Sequence, residues 1–126
     1  MKNKTPREQN HSIEEFVQDA VDLFNKLLAL VRDSLPSEPE IVPLMKYEDA
    51  IRYFVTDRPK DPKVKKGAML RQRHRQGQQF VQMFLDKNNQ MVCQPNGTPY
   101  GRKLVVKQFD EELCEAFDDQ DLIIVE

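Results

Sequence analysis

Apolar residues recur at steps of three and four positions through the first part of the chain, and this spacing predicts an amphipathic helix. The members of the stripe are Ile13, Phe16, Val17, Ala20, Val21, Phe24, Leu27, Leu28 and Val31. Ser12 and Glu15 open the helix with the S-x-x-E spacing of a capping box, and Pro36 ends it. Such a wide apolar stripe must be covered, either by a sheet of the same chain or by a second copy of the chain.

Prolines divide the next thirty residues into two connecting segments and one short helix. Residues 36–43, PSEPEIVP, contain three prolines and are predicted to be a linker. Apolar side chains then return at helical spacing from Leu44 to Phe54, which predicts a second helix at about 44–54. Residues 56–67, TDRPKDPKVKKG, contain two more prolines and are predicted to be irregular.

The second half of the chain is rich in β-branched and aromatic residues and in turn signals, which predicts strands. Residues 68–75 and 78–86 are expected to pair across Gln76 and Gly77. QMVCQ, residues 90–94, is expected to return antiparallel after the turn KNN, and RKLVVK, residues 102–107, forms another strand.

The end of the chain predicts one short helix and a closing strand. Asp110 is expected to cap the helix, DEELCEAF, which begins with acidic residues that favour a helix N-terminus. The closing strand, LIIVE, is apolar on both faces, so we expect it to lie away from an open solvent edge.

These elements together predict a single α+β domain. A long N-terminal amphipathic helix and a shorter second helix pack on a small, mostly antiparallel sheet of four to five strands, with one short helix before the last strand. The chain has 126 residues, a length that suits one domain. We assign residues 1–11 to a flexible N-terminal arm and residues 12–126 to the domain.

Composition argues against several classes of protein. No apolar run approaches the length of a membrane span, and the N-terminus lacks the apolar stretch of a secretory signal, so we expect a cytoplasmic protein without membrane contact. Cys93 and Cys114 lack CxxC spacing, and with only two histidines the chain is not expected to bind a metal. Its glycines form no phosphate-binding motif, and no cofactor is expected.

Charge is unevenly distributed along the chain, although the net charge is only −2. Eight basic residues and one acidic residue lie between Arg58 and Arg75, whereas residues 108–126 contain eight acidic residues and no basic one. This asymmetry predicts two charged surfaces that meet a partner or each other. The candidate binding residues are Lys65, Lys66, Arg71, Arg73, Arg75, Asp118, Asp119 and Asp121.

The stretch LRQRHR, residues 70–75, has three interpretations. On a strand its arginines share one face at a spacing of about 6.8 Å, and such a row is often only a solvated face or a protected edge. The arginines are equally suited to acidic residues of this chain or of a partner. The third interpretation is single-stranded nucleic acid, with the basic segment 58–75 on the phosphates and a nearby aromatic such as Tyr100 stacking on bases.

The function that the sequence favours is a non-enzymatic protein-interaction or regulatory module with charge-segregated surfaces, for which a homodimer is one form. Binding of single-stranded nucleic acid is the first alternative. A cysteine-dependent enzyme is the second, with Cys93 as nucleophile and His74 as base. No local signature supports that pair, and a cysteine flanked by strand residues is usually a small buried hydrophobe. No catalytic residue is therefore assigned.

Overall fold

The computed structural model of the protein describes residues 21–29 and 37–126. Residues 21–29 are helical and are called α1. The other elements are β1 (Ser37–Val42), α2 (Tyr47–Thr56), β2 (Lys66–His74), β3 (Gly77–Leu85), β4 (Gly101–Val106), α3 (Glu111–Phe117) and β5 (Leu122–Val125). The predicted arm at residues 1–11 and the capping box at Ser12 and Glu15 lie outside the described residues.

The five strands form one mixed sheet in the order β1-β4-β3-β2-β5. The edge strand β1 runs parallel to β4, and the other three pairs are antiparallel. The predicted hairpin is present, since β2 and β3 pair in one continuous register from Lys66 with Leu85 to His74 with Gly77. The α+β class is thus confirmed, with a five-stranded mixed sheet.

Side chains alternate across the sheet, and each of its faces is covered by helix. On one face α2 and α3 pack on the sheet, and its buried residues include Ala50, Phe54, Met69, Phe80, Phe84, Leu104, Val106, Leu113 and Phe117. On the other face α1 covers a second cluster, which contains Leu27, Ala68, Leu70, Val81, Met83 and Leu85. Within the described part of the N-terminal stripe, Leu27 is 1% exposed and lies against the sheet with Phe24 and Leu28 beside it, whereas Val21 is exposed.

Asp110 fixes the two helices on the first face to each other. Its carboxylate accepts from the backbone N–H of Leu113, which caps α3 as predicted from the sequence. The same carboxylate accepts from the backbone N–H of Tyr47 at 3.1 Å, at the beginning of α2. The N-cap residue of α2, Lys46, provides no side-chain cap. One side chain therefore satisfies orphan donors of two helices that are distant in sequence.

Three predictions about the strands are wrong. The segment predicted to be a linker contains the strand β1. An edge strand pairs on one side only and therefore tolerates a proline. The register of β1 with β4 is irregular between Ser37 and Ile41, where Pro39 lies. Residues 90–94 do not form a regular strand and make only isolated bridges, Leu85 with Met91 and Cys93 with Pro99.

The third wrong prediction concerns the closing strand. β5 is apolar on both faces, yet it occupies the end of the sheet opposite β1. Both faces of β5 are in contact with core clusters, which explains its composition without a second neighbouring strand: Ile123 and Val125 pack on the first cluster, and Leu122 and Ile124 pack on the second.

Candidate interaction surface

Arg71 is bound by the segment that connects α3 to β5. Its Nε donates to Oδ1 of Asp121 at 2.9 Å, and a terminal nitrogen donates to the backbone carbonyl of Asp118 at 2.9 Å. The guanidinium also lies over the ring of Phe117, with Cζ 4.6 Å from the ring centroid. The basic and acidic segments of the sequence therefore meet within one chain at this point, and Arg71 has the contacts of an architectural residue.

The backbone of Asp118 turns sharply to present its carbonyl to Arg71. Asp118 has a φ of 55° and is the second residue of a turn closed by the Gln120 N–H and the Phe117 carbonyl. The side chains of Asp118 and Asp119 are exposed. Of the three predicted acids, Asp121 pairs with arginine through its carboxylate, Asp118 contributes only its carbonyl, and Asp119 makes no ion pair with another described residue.

The predicted basic residues do not form one patch. Arg73 and Arg75 are exposed at the β2–β3 hairpin, and neither pairs with an acid among the described residues. Lys65 is exposed, and Lys66 donates from Nζ to Oδ1 of Asn89 at 2.8 Å. These lysines lie at the beginning of β2, about 26 Å from its end if each residue adds about 3.3 Å.

The same geometry separates the elements of the nucleic-acid interpretation. The backbone N–H of Tyr100 donates to the Val92 carbonyl, and the Val92 N–H donates to the Phe84 carbonyl. Phe84 pairs with Gly67 near the beginning of β2, so Tyr100 lies at the same end of the sheet as Lys65 and Lys66. The hairpin arginines lie at the other end. With Arg71 engaged by Asp121, the row of three arginines is reduced to Arg73 and Arg75.

His74 and Cys93 are also at opposite ends of the sheet. His74 pairs with Gly77 at the hairpin, whereas Cys93 follows Val92, whose N–H donates to the Phe84 carbonyl near the beginning of β2. His74 uses Nδ1 to accept from the backbone N–H of Gln76 at 3.1 Å. Cys93 is exposed, whereas its position between strand residues predicted a buried side chain. The structure does not bring the proposed nucleophile and base together.

A groove lined by both apolar and charged residues lies between α2 and β4, with a volume of about 390 Å³. Gln82 is fully buried beneath it and donates to the Ala50 carbonyl at 2.8 Å, while its Oε1 accepts from Nε of Arg102 at 2.7 Å. The Arg102 guanidinium stacks on the Tyr53 ring at 4.2 Å. The groove is lined by two arginines and two aspartates, Arg52, Arg102, Asp49 and Asp57. This balance of charge favours no anionic or cationic ligand.

The outer side of β5 presents unpaired backbone groups among the described residues. The Arg71 N–H donates to the Asp121 carbonyl at 3.0 Å, and hydrogen-bonded pairs alternate along an antiparallel ladder. In the register of β2 with β5, Ile123 and Val125 therefore direct their backbone groups toward β2. Leu122 and Ile124 direct their N–H and C=O groups away from β2, where no described strand lies.

The two edges of the sheet differ in how they discourage pairing. The sequence of β1, SEPEIV, contains two glutamates and a proline, and its register with β4 is irregular. Charges, prolines and irregularities are the means by which natural sheets prevent edge-to-edge association. The sequence of β5, LIIV, contains neither charge nor proline, and its register with β2 is regular. Among the described residues, the short length of β5 is its one such protection.

The sequence analysis did not select Leu122 and Ile124, whose outward backbone groups make them candidate interaction residues. The apolar composition of LIIV predicts a position inside the sheet, with a neighbouring strand on each side. The available signal was the position of the strand after a helix at the end of the described chain, together with the absence of charge within it.

No family model, no curated protein and no solved structure matches the chain. Within the described residues, every helix is too short or too polar to cross a membrane.

Proposed function

We propose that the chain is a non-enzymatic protein-interaction module that binds through the open edge formed by β5. The observation that carries the proposal is the combination of an apolar strand, outward backbone groups at Leu122 and Ile124, and the absence of charge or proline within the strand. Addition of a partner strand to an exposed sheet edge is a recurrent mode of protein recognition. Main-chain hydrogen bonds supply affinity in this mode, and alternate side chains supply specificity.

Charge has a smaller role in this proposal than the sequence alone suggested. Arg71 and Asp121 are paired with each other and hold the beginning of β5 against β2. Arg73 and Arg75 remain exposed at the same end of the sheet. Exposed charges beside an apolar edge steer a partner and set its register more than they set its affinity.

The non-enzymatic part of the proposal is supported by the positions of the reactive side chains. His74 and Cys93 are separated by most of the length of β2. The polar side chains around the α2–β4 groove are occupied with one another, as in the pairs Gln82 with Arg102 and Asp49 with Arg52.

The experiment is an affinity capture with three forms of the protein from a native lysate of the organism that encodes it. The wild type is compared with Ile124→Lys, which places a charge on the β5 edge, and with Val55→Lys. Val55 is 71% exposed on α2, so its substitution makes the same chemical change at a surface away from β5.

We expect the same specific proteins, or the same chain, to be retained by the wild type and by Val55→Lys and to be lost with Ile124→Lys. A set of captured proteins that does not differ among the three forms would contradict the proposal. Circular dichroism of each form, recorded beforehand, establishes that the variants are folded.

A further inference from the structure

We infer that the partner of the β5 edge is a basic strand, an extended segment of another protein whose apolar residues are flanked by lysine or arginine. The inference rests on the proposed function, because it names the chemistry of the partner that the same edge binds. The observation that selects this partner is the charge at the two ends of β5. Residues 118–126 contain four acidic residues and no basic one, and all four acids lie outside the apolar strand itself.

Three of these carboxylates lie just before β5. Asp118, Asp119 and Asp121 are exposed, and Arg71 forms an ion pair with Asp121 only. Asp118 and Asp119 do not stabilise α3, because they follow the negative end of its dipole and its last turn contains no basic residue. Among the described residues, no cation pairs with these two carboxylates, and both are exposed to a partner.

The fourth carboxylate, Glu126, directly follows β5 and is also exposed. The register of β2 with β5 places Glu126 beside Lys66. Lys66 instead donates from Nζ to Oδ1 of Asn89 at 2.8 Å, on the β3 side of β2. A strand added to β5 therefore meets an exposed acid at each end, whether it runs parallel or antiparallel to β5.

The exposed arginines of the hairpin lie farther from an added strand than these acids do. Arg73 belongs to β2, and Arg75 belongs to the turn that follows it. A strand added to β5 lies one strand spacing, about 5 Å, from β5 and two spacings, about 10 Å, from β2. The residues next to the partner are therefore those of β5 and its acidic flanks.

The same charges disfavour a second copy of the chain as the partner. In a two-fold antiparallel pair centred on Ile123, Glu126 lies opposite Gln120 of the other copy. Glu126 then lies beside Asp119 and Asp121, and like charges at neighbouring positions of a sheet are destabilising. A strand with basic ends replaces this repulsion with attraction.

The middle of the partner strand is expected to be apolar on both faces. Ile123 and Val125 pack on one core cluster, Leu122 and Ile124 pack on the other, and all four are only partly buried. Side chains of an adjoining strand lie about 5 Å from such residues, and β-branched or aromatic pairs at this distance stabilise a sheet. The predicted ligand is thus a short apolar strand between basic residues.

Fluorescence anisotropy with two labelled peptides tests the inference. Each peptide contains four β-branched residues with two further residues at each end, which are lysines in one peptide and glutamates in the other. At low salt the wild type is expected to bind the lysine peptide about ten-fold more tightly than the glutamate peptide. The difference should shrink at about 1 M salt, where the screening length falls to about 3 Å.

Two variants separate the edge from its charge. Ile124→Pro removes an outward N–H donor and leaves the bonds to β2, so it should abolish binding of the lysine peptide. If circular dichroism shows that this variant does not fold, Ile124→Lys serves instead. Asp119→Asn combined with Glu126→Gln should weaken binding of the lysine peptide by about three-fold or more. The matched control, Glu111→Gln combined with Glu112→Gln at the beginning of α3, removes two exposed acids and should leave binding unchanged.

The outcomes separate this inference from the proposed function. Equal binding of both peptides, or tighter binding of the glutamate peptide, that is lost with Ile124→Pro would overturn the basic partner and leave binding at the β5 edge in place. Binding of the lysine peptide that persists in the Ile124 variants would overturn the inference, because the peptide then binds elsewhere.

Two further results would also overturn the basic partner. A dimer in sedimentation velocity that Ile124→Pro abolishes would make a second copy the occupant of the edge. Failure of both peptides to bind would overturn this inference alone, because capture from the lysate then decides the proposed function.

Discussion

Arg71 and Arg73 differ by two positions on one strand, share a face and have the same side chain, yet their surroundings differ completely. Arg71 lies over Phe117 and pairs with Asp121, and only 20% of its side chain is exposed. Arg73 is exposed at the hairpin. The difference arises because the α3–β5 connection extends as far as Arg71 and no farther along β2.

Replacing Arg71 is therefore expected to destabilise the fold, whereas replacing Arg73 is not. Arg71→Ala should lower the free energy of unfolding by about 1 to 2 kcal/mol, because it removes a cation–π contact and two charged hydrogen bonds beside a partly exposed acid. Arg73→Ala should change the free energy by less than about 0.5 kcal/mol. Urea denaturation measures both, and equal effects of the two substitutions would contradict this assignment.

Asp110 caps two helices with one side chain, so its replacement is expected to destabilise both. Asp110→Ala removes the acceptor for Leu113 of α3 and for Tyr47 of α2. Each cap contributes about 0.5 to 2 kcal/mol, so the free energy of unfolding should fall by about 1 to 4 kcal/mol. Glu111→Ala, at the next and exposed position, is the matched control and should change it far less. A similar loss in both variants, measured by urea denaturation, would count against the double cap.

Asp86 is expected to make the stability of the fold depend on pH in the acidic range. A hydrogen bond from the Gln90 backbone N–H is the main cause that holds the pKa of Asp86 below its ordinary value of 3.8, with a further contribution from the Asn88 N–H. Because the folded-state pKa is lowered, the carboxylate stabilises the fold above about pH 4, and this contribution is lost as pH falls through the lowered pKa.

The variant Asp86→Asn isolates this effect. The difference in unfolding free energy between the wild type and Asp86→Asn should be largest above about pH 4 and should decrease toward about pH 2. Urea denaturation across this range measures the difference. A difference that does not change with pH would show that the carboxylate charge has no part in the turn.

At the scale of elements, the sequence was sufficient where a local signal and burial agreed. The hairpin of β2 and β3, the helix α2 and the Asp110 cap of α3 each follow from a period or a capping residue. β1 was missed because pairing with β4 outweighs the proline in an edge strand. The edge position of β5 was missed because contacts with the two helical layers, and not a second strand, account for its apolar residues.

At the candidate site, too, the sequence alone predicts some features and not others. The sequence left open whether the basic and acidic segments meet a partner or each other, and the structure contains one pair between them, Arg71 with Asp121. It gave no means of knowing that the lysines and the hairpin arginines lie at opposite ends of β2, because distance between charges depends on the register of the strands. Outward backbone groups on β5 likewise depend on the order of the sheet.

The contact between α2 and β2 depends on the absence of a side chain at Gly67. A Cβ atom at this position would lie 2.6 Å from the ring of Phe54, well inside normal contact. Gly67→Ala is therefore expected to lower the free energy of unfolding by about 1 to 3 kcal/mol through overpacking.

A second substitution tests whether the Phe54 ring is the cause. Adding Phe54→Leu to Gly67→Ala should restore part of the loss relative to the sum of the two single variants, as measured in a double-mutant cycle. Strict additivity of the two substitutions would mean that the destabilisation has another origin.

At the scale of the whole molecule, the described residues form a sheet covered on both faces by helices, with charge and proline in the β1 edge strand and neither in the β5 edge strand. The core clusters and the Asp110 caps hold the layers together, and the Arg71–Asp121 pair fixes the beginning of β5. These contacts hold β5 against β2, with its outward backbone groups at Leu122 and Ile124. Pre-organisation of this kind lowers the entropic cost of adding another strand.

Amide hydrogen exchange at Leu122 and Ile124 tests strand addition at this edge most directly, with the amide of Ile123 as the internal reference because it points toward β2. The account predicts that Leu122 and Ile124 exchange rapidly in the dilute protein alone and become protected when a captured partner is bound, while Ile123 remains protected throughout. Rapid exchange of Leu122 and Ile124 in the complex, or protection of both in the dilute protein alone, would contradict it.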